Sequence, residues 1–207
     1  MTTWLRGTLG VNPRQSLHPA AADVFHGLPG PLVVKLGGSL LARPAWPDAV
    51  GRLLAALPAP CLLVVGGGGL VDGLRAVDAA TTAPPDLVHR LAIGLMGVTA
   101  RLAAALLDLP VVATADSPHP VAVLDVPTWL GRDDRLARLP VGWHVTSDSI
   151  AAAATPGGRL LLIKSVPPPC PGGSLDDAVA AGWIDGHFPV AAARLGFVGW
   201  AAPAQPA

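Results

Sequence analysis

The sequence predicts an α/β protein in which helices pack around a mainly parallel sheet. Short, continuous apolar runs of strand length alternate along the chain with segments whose apolar residues recur at helical spacing. Continuous apolar runs are typical of strands buried on both faces, as in a parallel sheet. Two of these runs, ending at Leu36 and Val65, are followed at once by glycines and then by a helical pattern. Ligands bind at such strand ends in open α/β sheets, so we expect the functional site there.

Each element has its own pattern. The predicted strands are 31–36, 61–65, 111–114, 121–124, 160–163 and 197–200. The predicted helices are 47–57, 70–80, 86–107, 176–181 and one that begins within 146–149 and ends at 154. Residues 127–140 are predicted to form a mixed loop or a short helix. The segment 86–107 is apolar nearly all round, a pattern typical of a buried helix.

The chain length and the distribution of proline suggest how the chain is organised. A chain of 207 residues can bury one sizeable core, so we expect one domain, at 31–200. Residues 1–30 are mixed and contain Pro13, Pro19 and Pro29, which predicts an N-terminal extension. Residues 201–207 are mostly alanine and proline, which predicts a flexible tail.

Composition excludes several classes of protein. With 51% hydrophobic and 14% charged residues, the chain is globular and not disordered. A formal net charge of zero argues against binding to nucleic acid or to an anionic membrane. No uninterrupted apolar segment reaches the roughly 18 to 20 residues that span a bilayer, and residues 1–22 lack the apolar stretch of a signal peptide. We therefore expect a cytoplasmic protein.

Cysteine usage agrees with a reducing compartment. The chain has two cysteines, Cys61 and Cys170, too few for a disulfide scaffold or a cysteine metal site. Cys61 lies in an apolar run and is predicted to be a core thiol. We predict no protein side chain as a metal ligand.

Lysine is rare in this chain and occurs at comparable positions. Against twelve arginines there are two lysines, Lys35 and Lys164, and each lies at the end of a strand-like apolar run. An ammonium is a compact point charge that fits against a phosphate oxygen in a tight space, where a guanidinium is too wide. The alternative is drift in an arginine-rich composition.

The glycine runs at two strand ends favour an anion-binding site. Gly37 and Gly38 follow the first strand, and Gly66–Gly69 follow the second. Glycines let backbone N–H groups approach an anion closely, and the dipole of the following helix is favourable. Neither run matches a P-loop or a dinucleotide-binding motif. The runs could also serve only as tight turns, but four glycines in a row exceed what a turn requires.

Asp148 allows two interpretations. It lies in 146–149, where Ser or Thr would cap a helix and Asp would occupy the first turn. Alternatively, Asp148 lies between Lys35 and Lys164 and positions both ammonium groups over a phosphoryl group in transfer. Such a transfer depends on positioning and charge stabilisation, so the catalytic set would be Lys35, Asp148 and Lys164.

Four segments occur in the order found in the amino acid kinase superfamily. They are KLGGS at 35–39, VVGGG at 64–68, TSDSIA at 146–151 and LLIKSV at 161–166. Over about 33–189 the chain resembles the group that contains acetylglutamate kinase, uridylate kinase and isopentenyl phosphate kinase. The resemblance implies a three-layer αβα sandwich that uses ATP and Mg²⁺ and transfers the γ-phosphoryl group to a small phosphorylated or acidic acceptor.

The resemblance also assigns residues. Lys35 would contact the transferred phosphoryl group, and Asp148 would organise the site. Backbone N–H groups would come from Gly37, Gly38, Gly67 and Gly68. The residues assigned to phosphate or ATP are Gly37, Gly38, Ser39, Ser147 and Ser165. Those assigned to the acceptor are Gly66, Gly67, Gly68, Gly69, Asp72, Arg75 and His89.

Within the superfamily the chain is most similar to the small archaeal-type kinases of methanofuran biosynthesis. The similar pieces are Asp72 and Arg75 after the glycines, HRLAIGLM at 89–96 and GWIDGHFP at 182–189. This similarity implies phosphorylation of an aminomethylfuran phosphate to the diphosphate. From the residues alone, Arg75 could be a solvated surface residue and His89 a core or capping histidine.

Two further functional hypotheses stay open. The chain could be a kinase of a carboxylate acceptor, or a kinase-fold subunit that binds a nucleotide or metabolite without turnover. Homo-oligomers are expected in any case, because the apolar helix 86–107 has more apolar surface than one sheet face can cover.

Overall fold

One sheet forms the centre of the molecule. The computed structural model describes residues 4–9, 18–19, 30–132, 139–155, 157–169 and 174–203. Within these residues, eight strands pair in the order β2-β1-β8-β7-β3-β4-β6-β5. Their bounds are β1 Trp4–Leu9, β2 His18–Pro19, β3 Leu32–Leu36, β4 Cys61–Val65, β5 Val111–Val112, β6 Val121–Leu124, β7 Arg159–Ile163 and β8 Phe197–Pro203. The six strands from β8 to β5 are parallel, and β1 and β2 extend the sheet in antiparallel pairing.

Helices cover both faces of this sheet. Their bounds are α1 Trp46–Ala55, α2 Gly69–Thr81, α3 Pro85–Leu107, α4 Val126–Leu130, α5 Ser147–Ala153, α6 Leu175–Ala180 and α7 Phe188–Ala192, with a 3-10 helix at Gly38–Ala42. One core cluster joins the sheet to α4, α5, α6 and α7, and the other joins it to α1 and the C-terminal half of α3. The predicted three-layer αβα sandwich with a mainly parallel sheet is therefore confirmed.

The central strands are buried because every residue in them is apolar apart from the site lysine and the first residue of β7. All five residues of β3, of β4 and of β7 are buried. Cys61 at the start of β4 is a buried free thiol, as predicted, and burial raises its pKa to about 11. Cys170 lies outside the described residues.

Several element bounds differ from the predicted ones. β5 ends at Val112 and not at Thr114, because Thr114 donates its hydroxyl to Asp116 O at 3.0 Å and turns the chain. β8 continues past Trp200 to Pro203, because it pairs with β1 on one side and β7 on the other. Residues 4–9 and 18–19 of the predicted N-terminal extension therefore form the two outer strands on one side of the sheet. The predicted flexible tail 201–207 is wrong for 201–203, which are buried in β8. Most of 1–30 and residues 204–207 lie outside the described residues.

Helix α3 is less buried than its composition predicts. Ile93, Met96 and Ala100 pack into the core, but an apolar stripe on the opposite side is about half exposed. With 23 residues and a hydropathy of 1.6 over its most apolar window, α3 is long and apolar enough to cross a membrane by length and composition alone. The core contacts of its buried face make it a packed helix of this sandwich.

Candidate active site

A cavity of about 590 Å³ lies at the carboxyl ends of the central parallel strands. The two predicted lysines, the glycine runs and the N-terminal turn of α5 all line it. Parallel strands end at the same edge of a sheet, so residues distant in sequence meet here. The predicted site residues in its wall are Lys35, Gly38, Ser39, Gly66, Gly67, Gly68, Asp72, Arg75, His89, Ser147, Asp148 and Lys164.

The carboxylate of Asp148 bridges the two lysines. Lys35 Nζ lies 2.9 Å from Asp148 Oδ1, and Lys164 Nζ lies 2.6 Å from Asp148 Oδ2. All three side chains are largely inaccessible, with exposed fractions of 6% for Lys35, 4% for Asp148 and 12% for Lys164. The two charged strand ends are thus joined by one residue of α5.

Burial and charge act in opposite directions on this bridge. Burial alone would raise the pKa of Asp148, but the two ammonium groups outweigh it and lower that pKa to about 2. Burial lowers the pKa of Lys164 to about 8; the like charge of Lys35 adds to this effect and Asp148 opposes it. At neutral pH the bridge therefore has one negative and two positive charges. Its net positive charge faces the cavity and suits an anionic ligand.

Lys164 is fixed by a second partner besides Asp148. Its Nζ donates to Trp183 O at 2.7 Å and lies 5.2 Å from the centre of the Trp183 ring. The indole N–H of Trp183 donates in turn to Val166 O at 3.0 Å. Trp183 therefore joins the α6–α7 connection, residues 181–187, to the end of β7.

The N-terminal turn of α5 holds Asp148 in place. Thr146 is the N-cap, and its hydroxyl oxygen accepts from the N–H of Asp148 at 3.5 Å. Asp148 and its neighbours Ser147 and Ser149 are all buried. Asp148 therefore occupies the first turn of a capped helix and also pairs with both lysines, and its role in phosphoryl transfer stays a prediction.

The two glycine runs pack directly against each other. A Cβ on Gly38 would lie 2.1 Å from the nitrogen of Gly68, and a Cβ on Gly68 would lie 2.4 Å from Gly38 O. Gly68 also has a φ of +54°, which disfavours other residues. A Cβ on Gly66 would lie 2.8 Å from the hydroxyl oxygen of Ser147. These glycines are needed for close approach and not only for turning.

The backbone N–H groups that remain unpaired in the glycine runs differ from those predicted to bind phosphate. Gly37 donates its N–H to Ile163 O at 2.8 Å, and Gly66 donates to Leu36 O at 2.9 Å. The expectation that Gly37 offers its N–H to a phosphate is therefore wrong, because that group completes the sheet. For Gly38, Gly67 and Gly68 no backbone partner occurs within the described part of the chain, so their N–H groups are available to a ligand.

Three predicted residues do not line the cavity. They are Gly37, Ser165 and Gly69, and Gly69 is exposed at the start of α2. Ser39 donates its hydroxyl to Ser165 at 3.1 Å, which links the loops that follow β3 and β7. Ser165 thus contacts the site through Ser39.

Arg75 and Asp72 lie at the mouth of the cavity, on α2. Arg75 pairs with Asp72 at 2.9 Å, and its guanidinium lies 4.8 Å from the centre of the Trp143 ring. Trp143 donates its indole N–H to the carboxylate oxygen Oδ2 of Asp78 at 2.8 Å. Arg75 is exposed and lies over an indole ring, and its role in binding the acceptor stays a prediction.

His89 belongs to an apolar wall on the same side. It is buried near the start of α3, and burial lowers its pKa. Within the described residues its Nε2 has no hydrogen-bond partner. The apolar side chains around it in the cavity wall are Val71, Val88, Ala92, Ile93 and Met96.

Sequence reasoning missed several residues. It assigned no role to Trp143, Trp183 or Asp185, which fix Arg75, Lys164 and the start of α5 respectively. A signal was present for Asp185, since it is a lone carboxylate between apolar residues in the segment 182–189. A buried carboxylate needs hydrogen-bond donors close to it, because burying an unpaired charge costs free energy.

The fold of this chain is similar to that of a solved uridylate kinase. The structure matches the crystal structure of uridylate kinase from Archaeoglobus fulgidus with a TM-score of 0.51 and 16% sequence identity. The match covers 81% of this chain and 89% of that one. No protein-family model and no curated protein sequence matches the chain. At this identity the likeness establishes the fold.

Proposed function

We propose that this chain is an ATP-dependent kinase that transfers the γ-phosphoryl group to a small phosphomonoester. The observation that carries this proposal is the bridge of Lys35, Asp148 and Lys164, which presents a net positive charge beside free backbone N–H groups. Phosphoryl transfer requires mainly positioning and stabilisation of charge on the phosphoryl oxygens. The amino acid kinase fold supports the same conclusion.

Each member of the bridge has a distinct role in the proposed reaction. Lys35 contacts the phosphoryl group in transfer, and Lys164 stabilises charge on the donor phosphates. Asp148 orients both ammonium groups and reduces their mutual repulsion, so that the site is organised before substrate binds. The N–H groups of Gly38 and Gly68 add neutral donors to the same phosphates.

The donor set fits a nucleotide triphosphate with its metal. Two ammonium groups and several N–H groups match a polyanion, whereas both oxygens of Asp148 are already engaged by lysines. The described residues contain no group of three His, Cys, Asp or Glu side chains able to hold a metal ion. In this proposal Mg²⁺ therefore enters with ATP, held by phosphates and water, and neutralises phosphate charge.

The acceptor side favours a phosphate ester with an apolar body. Arg75 at the cavity mouth offers a guanidinium suited to a phosphate. Its partner Asp72 offers a carboxylate suited to a substrate ammonium. The cavity wall also contains apolar side chains of α2 and α3, which suit a small ring better than a second carboxylate. Aminomethylfuran phosphate has all three features, and its diphosphate is the proposed product.

A donor-fixed acceptor screen tests this assignment. With ATP and Mg²⁺ constant, ADP release is compared for aminomethylfuran phosphate, isopentenyl phosphate, UMP and acetylglutamate. We expect the highest kcat/KM with aminomethylfuran phosphate and a KM for it raised about tenfold or more in Arg75→Ala. Activity confined to acetylglutamate would contradict a phosphate acceptor.

The same samples separate a kinase from a binding subunit. ATP with Mg²⁺ is titrated calorimetrically into protein used in the turnover assay. Tight binding without ADP release over the whole acceptor panel would favour a kinase-fold subunit that binds a nucleotide without turnover. ADP release that depends on an acceptor would favour the kinase.

We further propose that the protein forms homo-oligomers in the cytoplasm, with neither nucleic acid nor membrane as a partner. An apolar stripe runs along the side of α3 that faces away from the core. It comprises Leu87, Leu91, Val98, Leu102 and Leu106, with exposed fractions from 42% to 53%. A second copy is the occupant best suited to such a continuous stripe.

A further inference from the structure

We infer that Asp185 is a positioning residue for the proposed phosphoryl transfer, acting through the N-terminal turn of α5. This inference rests on the proposed function for its catalytic consequence, but its structural content is separate. Asp185 is buried in the α6–α7 connection, and 36 residues separate it from Ser149. The hydrogen-bond partners of its carboxylate in the described part of the chain are three backbone N–H groups and two hydroxyls.

The carboxylate of Asp185 binds the first turn of α5 from outside. Its Oδ2 accepts from Thr146 N at 2.9 Å, from the Thr146 hydroxyl at 2.8 Å and from Ser149 N at 3.0 Å. Its Oδ1 accepts from the Ser149 hydroxyl and from His187 N at 3.1 Å. Two backbone N–H groups that the helix itself cannot satisfy thus find a charged acceptor.

One residue, Thr146, connects Asp185 to the bridge of Lys35, Asp148 and Lys164. The Thr146 hydroxyl that donates to Asp185 also accepts from the N–H of Asp148. Asp148 then pairs with Lys35 and Lys164 through its two oxygens. Asp185 therefore fixes the turn that carries the shared counter-ion of both lysines.

The α6–α7 connection contacts the bridge at a second point. The backbone carbonyl of Trp183 accepts a hydrogen bond from Lys164 Nζ at 2.7 Å, and Asp185 follows two residues later. One short segment thus sets the position of Lys164 directly and of Asp148 through α5. A displacement of about 1 Å in such a group can cost about a hundredfold in rate.

The carboxylate of Asp185 also prevents the N-terminus of α5 from binding a phosphate. The N-terminus of a helix is suited to an anion, but here a protein carboxylate takes the N–H groups of Thr146 and Ser149. The donor phosphates are therefore left to the lysines and to the glycine loops. Asp185 itself belongs to the cavity lining, but its carboxylate is engaged by the first turn of α5.

The two lysines make this inference directly measurable. Protein grown with ¹³C- and ¹⁵N-labelled lysine gives signals from Lys35 and Lys164 alone. Asp185→Asn removes an acceptor while keeping the side-chain shape, and Asp176→Asn changes an exposed aspartate on α6 as a control. We expect both lysine side-chain signals to move in D185N and to stay in place in D176N.

Kinetics then test the catalytic consequence. We expect kcat in D185N to fall about a hundredfold, with the KM for ATP changed less than about threefold, because the turn is displaced and the phosphate donors remain.

The substitutions Thr146→Val and Thr146→Ser test the same contact with a smaller change to the structure. T146V removes the shared hydroxyl and should move the lysine signals and lower kcat, and T146S should restore both.

The outcomes separate the two proposals. Displaced lysine signals in a protein that turns over no acceptor would refute the kinase and leave the positioning role standing. Unchanged lysine signals in folded D185N would overturn the positioning role, whatever the activity. If D185N does not fold, the T146V and T146S pair decides, and equal lysine spectra in the two would overturn the inference.

Discussion

Lys35 and Lys164 lie diagonally across two neighbouring parallel strands, on the same face of the sheet. Lys35 pairs with Leu162 in the β3–β7 register, and Lys164 follows two residues later, immediately after β7. Side chains two residues apart on a strand point to the same side. The two ammonium groups therefore converge, and Asp148 of α5 reaches them from the helical layer on that face.

Replacement of Lys35 by methionine should remove most of the turnover. Methionine keeps the apolar stem but removes the ammonium that would stabilise charge in the transition state. We expect kcat to fall about 10²- to 10³-fold, by analogy with the loss of one preorganised donor. Steady-state ADP release is the measurement, and circular dichroism checks the fold.

Arg52→Ala provides the matched control for that variant. Arg52 is an exposed cation on α1, away from the cavity wall, so its removal changes net charge by the same amount. Its turnover should equal that of the unmodified chain. Unchanged phosphotransfer in Lys35→Met would refute the role of Lys35.

Replacement of Asp148 by asparagine should destabilise the fold. It leaves two buried ammonium groups close together without a counter-ion. Removing one partner of a buried ion pair typically lowers the free energy of unfolding by about 3–5 kcal/mol. Urea denaturation of Asp148→Asn measures this loss, with Asp176→Asn as an exposed aspartate for comparison.

An apolar replacement of the whole bridge should separate stability from activity. The triple variant Lys35→Met, Asp148→Leu, Lys164→Met removes all three buried charges together. Such replacements are often neutral or stabilising, so its unfolding free energy should exceed that of Asp148→Asn, with no turnover. A triple variant less stable than Asp148→Asn would show that the bridge itself stabilises the fold.

Activity should decline at alkaline pH because of Lys164. Its pKa is lowered by burial to about 8, so the bridge loses its net positive charge as pH rises through that value. We expect kcat/KM for ATP to fall above about pH 8, because this ratio reports the free enzyme. The decline of kcat should come at a higher pH than that of kcat/KM, because bound phosphates favour the charged form of Lys164. A flat kcat/KM profile from pH 7 to 10 would contradict this assignment.

The alkaline decline in activity should not result from unfolding caused by Lys164. The folded pKa of Lys164, about 8, lies below its ordinary value of 10.5. Between these pH values the unfolded chain binds more protons, so the contribution of Lys164 to the free energy of unfolding rises with pH. Thermal melts at pH 8 and 9 should therefore show no loss attributable to this residue.

Much of the fold could be predicted because the relevant patterns are local. The strands at 61–65 and 121–124 have the predicted bounds, since continuous apolar runs end there in glycine or proline-rich segments. The extension of β8 to Pro203 could not be predicted, because it depends on pairing with β1. Likewise, the exposed side of α3 depends on which half of the helix meets the sheet.

The site was predictable where it lies on strand ends and not where it depends on loops. Lys35 and Lys164 follow from strand periodicity and rarity, and the glycine runs follow from their position. By contrast, the engagement of the Gly37 N–H by Ile163 O requires knowledge of the strand order. The hydrogen bonds of Asp185 to α5 join segments with no shared pattern, so only the structure reveals them.

The apolar stripe on α3 should form the contact between two copies of the chain. Leu91 and Leu102 are 47% and 50% exposed near its middle, so a charge there would be buried on association. We expect Leu91→Asp to raise the dimer dissociation constant about 30-fold or more, which corresponds to about 2 kcal/mol. Sedimentation velocity over a concentration series measures the constant. Val190→Asp is the control, because Val190 is 67% exposed on α7 and lies off the stripe. An unmodified chain that sediments as a monomer at every concentration would rule this contact out.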